Sequence, residues 1–376
     1  MPTGNLGLYV HVPFCSAKCR YCHFFSVPWD PAAVETWKKG IALEAEAAAV
    51  DGCVFDSLYI GGGTPSLLSP DDLIHMTDSL RKRLNLRLEE FTLEVNPGAF
   101  ESGLFRGWRK AGVTRLSVGV QSFEDGILRR LGRTGYRADE AVVFLDAARR
   151  EGFADIAVDL IAGIPGETRL TVERNLAALD RLGIDHVSVY FLEELEGRDA
   201  AADLVLSPDE EDGAVRRFES LAAGLESLGI VRYEISNFAR PGRACRHNLK
   251  YWRYEPFLGL GPSAASHVGN VRWTNVSSIE KWSRALEKGQ DPRDEVLELS
   301  GVESFREALA FGLRLDEGLD PEKLGRRFGI AVQDTMTDTV ESLRKEGSLI
   351  VENGRWRIPR ERMLISNTIL SSLIYS

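Results

Sequence analysis

Short β-branched and aromatic runs alternate with longer amphipathic segments over the first 235 residues. Apolar positions three and four residues apart predict helices over 33–50, 70–84, 139–150, 168–182 and 208–228. The intervening runs predict strands, namely LGLYVHV, DSLYIGGG, FTLEV, RLSVGV, DIAVDLIAG, HVSVYFL and IVRYEI. Such alternation indicates parallel strands joined by right-handed crossovers. The pattern therefore predicts an α/β barrel or partial barrel, whose working face lies at the carboxyl ends of the strands.

The pattern changes after residue 235. Residues 236–297 are rich in Gly, Pro, Asn and aromatic residues, which predicts a loop-rich connecting segment with a functional role. Over 298–376 helical spacing returns, and two short strands follow around an Asn-Gly turn. Helices followed by a hairpin predict a smaller, winged-helix-like α+β domain. Its acidic context favours packing on protein over reading DNA.

Composition narrows the class of protein. The 376 residues are 44% hydrophobic and 27% charged, and no apolar stretch approaches the length of a membrane span. The first residues show neither the basic region nor the apolar stretch of an export signal, so we expect a cytoplasmic protein. A net charge of −10 disfavours nucleic acid as a partner. In the cytoplasm the five cysteines are expected to be thiols or metal ligands.

Three of these cysteines fall within the stretch CSAKCRYCHFF, as Cys15, Cys19 and Cys22. The C-x3-C-x2-C spacing indicates ligation, and three ligands fit it. The last part, CRYCH, matches the C-x-x-C-H pattern of covalent c-type haem, which would make the protein an electron carrier. Zinc held by the three cysteines and His23 is a closed structural alternative. A 4Fe-4S cluster held by three thiolates would keep one iron open to a substrate.

Polar groups follow several of the predicted strands. The stretch YIGGGTPS places Gly62, Gly63 and Thr64 directly after the second strand, where backbone atoms can approach a ligand without an intervening Cβ. It lacks the spacing of a phosphate loop or a dinucleotide fingerprint. Other candidate groups lie at or shortly after later strand ends, and they are Glu94, Gln121, Arg133 and Asp159. Together they offer a cation for a carboxylate, and acids or amides for an ammonium and for hydroxyl groups.

Over nearly its whole length the chain resembles one branch of the radical S-adenosylmethionine (SAM) superfamily, which contains oxygen-independent coproporphyrinogen III dehydrogenase and the HemW-type haem chaperones. The resemblance rests on LYVHVPFCSAKCRYC, GGGTPS, RLSVGVQSF, LGRTG, DLIAGIPGET, YEISNFARPG, RHNLKYW and the C-terminal helical module. It implies a (β/α)6 partial barrel with a smaller C-terminal domain. It also implies that Cys15, Cys19 and Cys22 hold a 4Fe-4S cluster. The implied S-adenosylmethionine contacts are Tyr9, Tyr21, Gly62, Gly63, Thr64, Glu94, Gln121, Arg133 and Asp159.

Within that branch, three features favour the chaperone. Phe24 stands where the decarboxylating enzyme typically has a further cysteine, and the segment before Cys15 is shorter than that enzyme's extension. The chaperone motif H-N-x-x-Y-W is present from His247 to Trp252, and it implies that His247 helps to hold haem. Two residues depart from the family: His23 replaces the usual aspartate, and Ala265 stands where many relatives have histidine.

The resulting hypothesis is a chaperone that binds haem and delivers it to respiratory haemoproteins. Whether S-adenosylmethionine is cleaved, and whether the protein is a homodimer, are left open. Two alternatives remain. One is an enzyme that decarboxylates coproporphyrinogen III by radical chemistry, and the other is a carrier with haem attached at Cys19 and Cys22, with His23 completing the motif.

Overall fold

The structure is a computed structural model that describes residues 5–48, 53–98, 100–101, 103–192 and 204–374. The strands are β1 (Leu6–Val12), β2 (Phe14–Cys15), β3 (Val27–Pro28), β4 (Phe55–Gly62), β5 (Leu86–Val95), β6 (Arg115–Gln121), β7 (Asp155–Ala162), β8 (His186–Phe191), β9 (Val231–Arg232), β10 (Asn237–Ala239), β11 (Phe257–Leu260), β12 (Ala265–Val268), β13 (Val271–Asn275), β14 (Arg293–Glu298), β15 (Ile350–Glu352) and β16 (Arg355–Arg357).

The α-helices are α1 (Pro31–Ala47), α2 (Pro70–Arg83), α3 (Leu104–Ala111), α4 (Asp125–Arg130), α5 (Ala138–Arg150), α6 (Arg169–Arg181), α7 (Pro208–Ser227), α8 (Arg246–Trp252), α9 (Ile279–Glu287), α10 (Gly301–Gly312), α11 (Pro321–Phe328), α12 (Val332–Lys345) and α13 (Ser366–Ile374). Short 3₁₀ helices cover Pro65–Leu67 and Arg360–Ile365. The helices predicted in the barrel agree with these bounds to within about two residues, except that positions 49–50 of the first predicted helix lie outside the described residues.

The main sheet contains six adjacent parallel strands in the order β1-β4-β5-β6-β7-β8. Helices follow these strands in the chain, as the alternating pattern predicts, so the (β/α)6 partial barrel is confirmed. On the other edge of β1, strand β11 pairs in parallel, and β12, β13 and β14 continue the sheet in antiparallel order. Beyond β8 the sheet ends in the short antiparallel strands β10 and β9.

The connecting segment 236–297 has more regular structure than its composition predicts. It contributes β10–β13, helices α8 and α9 and most of β14. Strands β11–β13 were missed because they are short and lie in a stretch rich in Gly and Pro. Strand β14 was missed because all of its residues are exposed, so no apolar alternation marks it. Conversely, only Val231–Arg232 of the predicted strand IVRYEI is extended.

Helices α1 and α9 pack against each other where the ring of Trp282 in α9 lies over Gly40 in α1. Trp282 is fully buried, and a Cβ on Gly40 would stand 2.2 Å from its ring. The indole Nε1 donates to Glu44 Oε2 (3.1 Å), and Glu44 also accepts from Gly261 N (2.7 Å) and Asn275 Nδ2 (2.6 Å). One buried carboxyl group thus joins α1, α9, the end of β13 and the loop after β11, because three donors compensate for its lost hydration.

The C-terminal part has a hydrophobic core of its own, formed by residues of α10, α12, α13 and the segments between them. The predicted order of helices followed by a hairpin is observed. Asn353 and Gly354 have φ values of 51° and 74°, which is the geometry expected for an Asn-Gly turn between two strands. The final helix docks through Ile369, Leu370 and Leu373, which are buried.

In the described part of the chain, no helix is both long enough and apolar enough to cross a membrane.

We predict that Trp282→Ala lowers the free energy of unfolding by about 3–5 kcal/mol, because it leaves a cavity over Gly40 and removes one donor from Glu44. Chemical denaturation followed by circular dichroism measures this change. Val143→Ala is the control: this α5 side chain is 55% exposed, and its loss should change stability by less than about 0.5 kcal/mol. Equal effects of the two substitutions would contradict this account of the α1–α9 contact.

Candidate functional site

The cysteine loop begins directly after β1 and runs beside the glycine-rich turn that follows β4. The amide of Gly63 donates to the carbonyl of Val12 (2.8 Å), and the amide of Thr64 donates to that of Phe14 (2.7 Å). A Cβ on Gly63 would stand 2.5 Å from the Phe14 carbonyl oxygen, so only glycine allows this approach. The two segments meet at the carboxyl ends of neighbouring parallel strands, where the sequence places the site.

Two of the three thiols receive hydrogen bonds from residues predicted for the site. The Thr64 hydroxyl donates to Cys15 Sγ (3.6 Å), and Arg133 Nη1 donates to Cys19 Sγ (3.6 Å). Burial raises the pKa of the Cys22 thiol, which also has a hydrogen bond from the backbone of Phe24. A hydroxyl donor and a guanidinium donor thus lie beside two of the three sulfurs.

The three thiols lie on one loop at this rim. In a 4Fe-4S cluster each thiolate binds a different iron, so three cysteines would keep the fourth iron open. A closed zinc site would need a fourth donor, such as His23. Among the described residues, no group of three or more His, Cys, Asp or Glu side chains is gathered around one point.

Arg133 connects the cysteine loop to two strand ends. Besides the bond to Cys19, its Nη2 donates to the Gly119 carbonyl (2.6 Å) and to Asn96 Oδ1 (3.1 Å). Asn96 Nδ2 in turn donates to Thr64 Oγ1 (3.3 Å). The guanidinium Nε is buried and has no hydrogen-bond partner among the described residues. This fixed, incompletely satisfied guanidinium fits the expected recognition of a carboxylate.

Glu94 is held at the end of β5 by two donors. Its carboxylate accepts from the Tyr59 hydroxyl (2.8 Å) and from the amide of Gly62 (3.0 Å), whose φ is 111°. Burial raises the pKa of Glu94 to about 7, and the nearby charge of Asp159 also raises it. Burial likewise raises the pKa of Asp159, which accepts from Ser117 Oγ (3.2 Å). A ligand cation beside these desolvated acids would stabilise their ionised forms.

Three other predicted contacts lie around the same space. Tyr9 donates to His11 Nδ1 (3.0 Å), because His11 Nε2 must donate to the carbonyl of Phe25 (2.9 Å). Tyr21 hydrogen-bonds Cys19. Gln121 ends β6 with a φ of 64°, a left-handed conformation that is uncommon for a residue other than glycine and that recurs at functional sites.

His247 lies in a different place from the rest of the predicted set. It is 1% exposed and sits near the amino-terminal ends of the barrel strands, where Nδ1 is 3.0 Å from Ser57 Oγ and Nε2 is 2.7 Å from the Tyr251 hydroxyl. The helix that carries it is anchored by Glu90, which accepts from the amides of Arg246 and His247 (both 3.0 Å). Both ring nitrogens thus have partners within the chain, and direct haem ligation would require one to be released.

Sequence reasoning missed Asn96 and Tyr59. Asn96 joins Thr64 to Arg133, and its position two residues after Glu94 at a strand end was the available signal. Tyr59 orients Glu94 from the neighbouring strand, which no local pattern reveals.

Comparison with known proteins identifies two families whose profiles match parts of the chain. The profile of the radical SAM superfamily matches residues 9–179, and that of the HemN C-terminal domain matches residues 299–365. Heme chaperone HemW of Mycobacterium tuberculosis (strain ATCC 25618 / H37Rv) is 33% identical over 95% of this chain and 93% of its own length. Heme chaperone HemW of Escherichia coli (strain K12) is 35% identical over 70% of each chain.

Among solved structures, coproporphyrinogen III oxidase (HemN) from Escherichia coli, a radical SAM enzyme, superposes with a TM-score of 0.85 over 98% of this chain and 90% of that one. The two sequences are 22% identical, so this similarity establishes a shared fold.

We predict that Cys22→Ala abolishes the visible absorbance of a 4Fe-4S cluster in anaerobically reconstituted protein, because one of three thiolate ligands is lost. Iron and sulfide analysis of the same samples provides the measurement. Cys53→Ala, which removes a half-buried thiol just before β4, should leave the cluster intact. Stoichiometric zinc in place of iron, or an unchanged cluster in Cys22→Ala, would refute the assignment.

We predict that Arg133→Lys weakens S-adenosylmethionine binding by about tenfold or more, because a lysine keeps the charge but loses the fork that grips a carboxylate. Titration calorimetry on samples with measured cluster content tests this separately from cluster loss. Arg129→Lys, an exposed change on α4, is the matched control. Equal affinities in the two variants would remove Arg133 from the binding site.

Proposed function

We propose a function from the following premise. The chain belongs to the radical SAM superfamily, in the branch of the HemW proteins. On this basis the protein is a haem chaperone that binds haem and delivers it to respiratory haemoproteins. The observation that carries the proposal is the 33% identity to a curated HemW chaperone, which extends over 95% of the chain and so includes both the barrel and the C-terminal domain. We retain a cytoplasmic location as part of the proposal.

In this proposal Cys15, Cys19 and Cys22 hold a 4Fe-4S cluster at the rim of the barrel. When bound, a cluster with one open iron supplies one-electron chemistry to S-adenosylmethionine. Arg133 binds the carboxylate of that cofactor, and the Glu94 and Asp159 carboxylates face its cationic groups. The tyrosines, glycines, Thr64 and Gln121 named above shape the space around these charges.

The H-N-x-x-Y-W motif implies that His247 itself holds haem, but the contacts of its helix support an indirect role for this residue. His247 orients the Tyr251 hydroxyl (2.7 Å), and the Tyr251 ring packs edge-on against Phe257 with centroids 4.4 Å apart. Trp252 packs on Phe311 at 5.9 Å. Tyr251, Phe257 and Phe311 all line one cavity, so the motif builds an aromatic wall of the kind that packs on a planar macrocycle. We infer that His247 acts by positioning Tyr251.

The decarboxylating enzyme is the second candidate, because its overall fold is so similar. Phe24 occupies the position of the additional cysteine of that enzyme, and its side chain is 57% exposed beside the cluster loop. The covalent haem carrier fits less well, because Cys19 is engaged by Arg133 and Tyr21 within the rim.

We predict that the reconstituted protein binds haem non-covalently and does not convert coproporphyrinogen III to protoporphyrinogen IX. Haem titration followed by the Soret band, extraction with acidified acetone, and an anaerobic assay with reductant and S-adenosylmethionine provide the three measurements. His247→Ala should weaken haem binding, because Tyr251 loses its partner.

Each alternative has its own outcome. Rapid conversion of coproporphyrinogen III would establish the enzyme in place of the chaperone. Haem that survives acidified acetone would support the covalent carrier. Delivery itself is tested by mixing the haem-loaded protein with a haem-free respiratory haemoprotein and, as control, with apomyoglobin. Equal transfer to both would indicate passive release.

A further inference from the structure

A cavity of about 270 Å³ lies between one face of strands β11–β14 and helices α8 and α10. Its floor follows from the strand register, in which Phe257 faces His267, His267 faces Arg272, and Arg272 faces Leu297. Directly opposed residues of paired strands point to the same side of a sheet. These four side chains therefore form a row across the sheet. Ala265, two residues before His267, lies on the same face.

The walls of the cavity are aromatic. Tyr251 comes from α8, Tyr254 follows that helix, and Phe311 comes from α10. The Tyr254 ring lies 4.3 Å from the imidazole of His267, and the Phe257 ring lies 6.2 Å from it. Besides the tyrosines, the polar residues of the lining are Ser266, His267, Arg272, Thr274 and Glu295. The aromatic walls suit a flat ligand that is largely apolar and carries polar groups at its edge.

One polar atom at this cavity lacks a hydrogen-bond partner among the described residues. His267 is 3% exposed, and its Nε2 has no hydrogen-bond partner in the described part of the chain. The backbone of Gly269 hydrogen-bonds the imidazole and thereby sets the tautomer. A buried polar atom without a partner costs about 1–3 kcal/mol, and a ligand bound to this nitrogen would offset that cost. A neutral imidazole with a backbone bond on one nitrogen and a free lone pair on the other is the form that ligates metals.

His247 and His267 therefore differ in the hydrogen-bond partners of their ring nitrogens. Both ring nitrogens of His247 are bonded, to Ser57 and Tyr251, whereas Nε2 of His267 has no partner within the ranges that the structure describes. Burial lowers the pKa of both side chains and so favours the neutral imidazole in each, which leaves their hydrogen-bond partners as the difference between them.

The rim carries one arginine that can pair with a carboxylate, Arg272, together with two acids, Glu295 and Glu307. Arg272 lies beside His267 on the neighbouring strand, and its side chain is 39% exposed. Glu307 holds it in place, with Arg272 Nη1 2.8 Å from Glu307 Oε1 and the Tyr254 hydroxyl donating to Oε2 (2.9 Å). An arginine that is anchored but still accessible can pair with a peripheral carboxylate of the ligand.

We propose that this cavity is the haem site and that His267 Nε2 is the axial ligand to the iron, with Arg272 paired to a propionate. The inference rests on the proposed function, since it assumes that the protein binds haem. The Tyr254 or Phe257 ring must rotate to admit the iron, because both pack against the imidazole. The cavity is smaller than the roughly 300–1,000 Å³ of enclosing ligand pockets, so the macrocycle stays partly exposed, as a haem that is passed on requires.

Haem titration of the cluster-containing protein tests the site. We expect His267→Ala to weaken haem affinity by about tenfold or more and to shift the Soret band, because the iron loses its imidazole. His267→Gly should regain the wild-type spectrum when free imidazole is added. The control is His75→Ala, which removes an exposed histidine on α2 and should bind haem like the wild type.

A second variant does not alter the histidine. Ala265 is exposed and lies on the floor of the cavity, so Ala265→Trp should fill the space without disturbing the core. We expect it also to weaken haem binding by about tenfold. S-adenosylmethionine binding by both variants confirms that the barrel is intact.

The outcomes distinguish failure of the chaperone proposal from failure of the proposed haem site. If the wild type and His75→Ala bind no haem, the chaperone proposal fails and this inference fails with it. If they bind haem while His267→Ala and Ala265→Trp keep the wild-type affinity and spectrum, the chaperone proposal stands and the site assignment is overturned. Loss of the imidazole spectrum in His247→Ala alone would also overturn the assignment.

Discussion

The parallel pairing of β1 on both of its edges is the constraint on which the rest of the structure depends. On one edge β4 brings the glycine-rich turn against the cysteine loop, and on the other edge β11 begins the antiparallel extension that carries the aromatic cavity. Both partners run in the direction of β1, so the cysteine loop follows β1 on the rim where β4 also ends. A single seven-residue strand therefore sets the position of two candidate sites.

A continuous series of polar and aromatic contacts runs from one candidate site towards the other. Glu94 accepts from Tyr59, the Tyr59 ring stacks on His247 with centroids 5.3 Å apart, and His247 bonds Tyr251, which lines the cavity. Each buried polar group in the series has a partner, as the low-dielectric interior requires. The H-N-x-x-Y-W motif thus has a structural reason for its spacing: residues i and i+4 meet on one helix face, so the histidine and tyrosine can bond.

Local pattern accounted for much of the fold. The period-2 and period-3.6 signals are strong where an element has one buried face, and these elements were predicted within a few residues. The same reasoning failed for β11–β14, since these strands are short or fully exposed and their pairing joins residues distant in the chain. The role of His247 was inferred from the family resemblance alone, because a sequence does not show whether a histidine nitrogen already has a hydrogen-bond partner.

By itself, the sequence determined the features that depend on neighbouring residues: the order of strands and helices in the barrel, the spacing of the three cysteines, the glycine turn and the Asn-Gly hairpin. These follow from spacing and backbone preference alone. Only the tertiary structure decided which side chains share a site. Asn96 bridges Thr64 and Arg133, Glu90 anchors the helix of His247, and His267, whose Nε2 has no partner among the described residues, lines an aromatic cavity. The physical reason is that hydrogen-bond partners and burial are set by long-range strand pairing, which brings together residues that local patterns treat as unrelated.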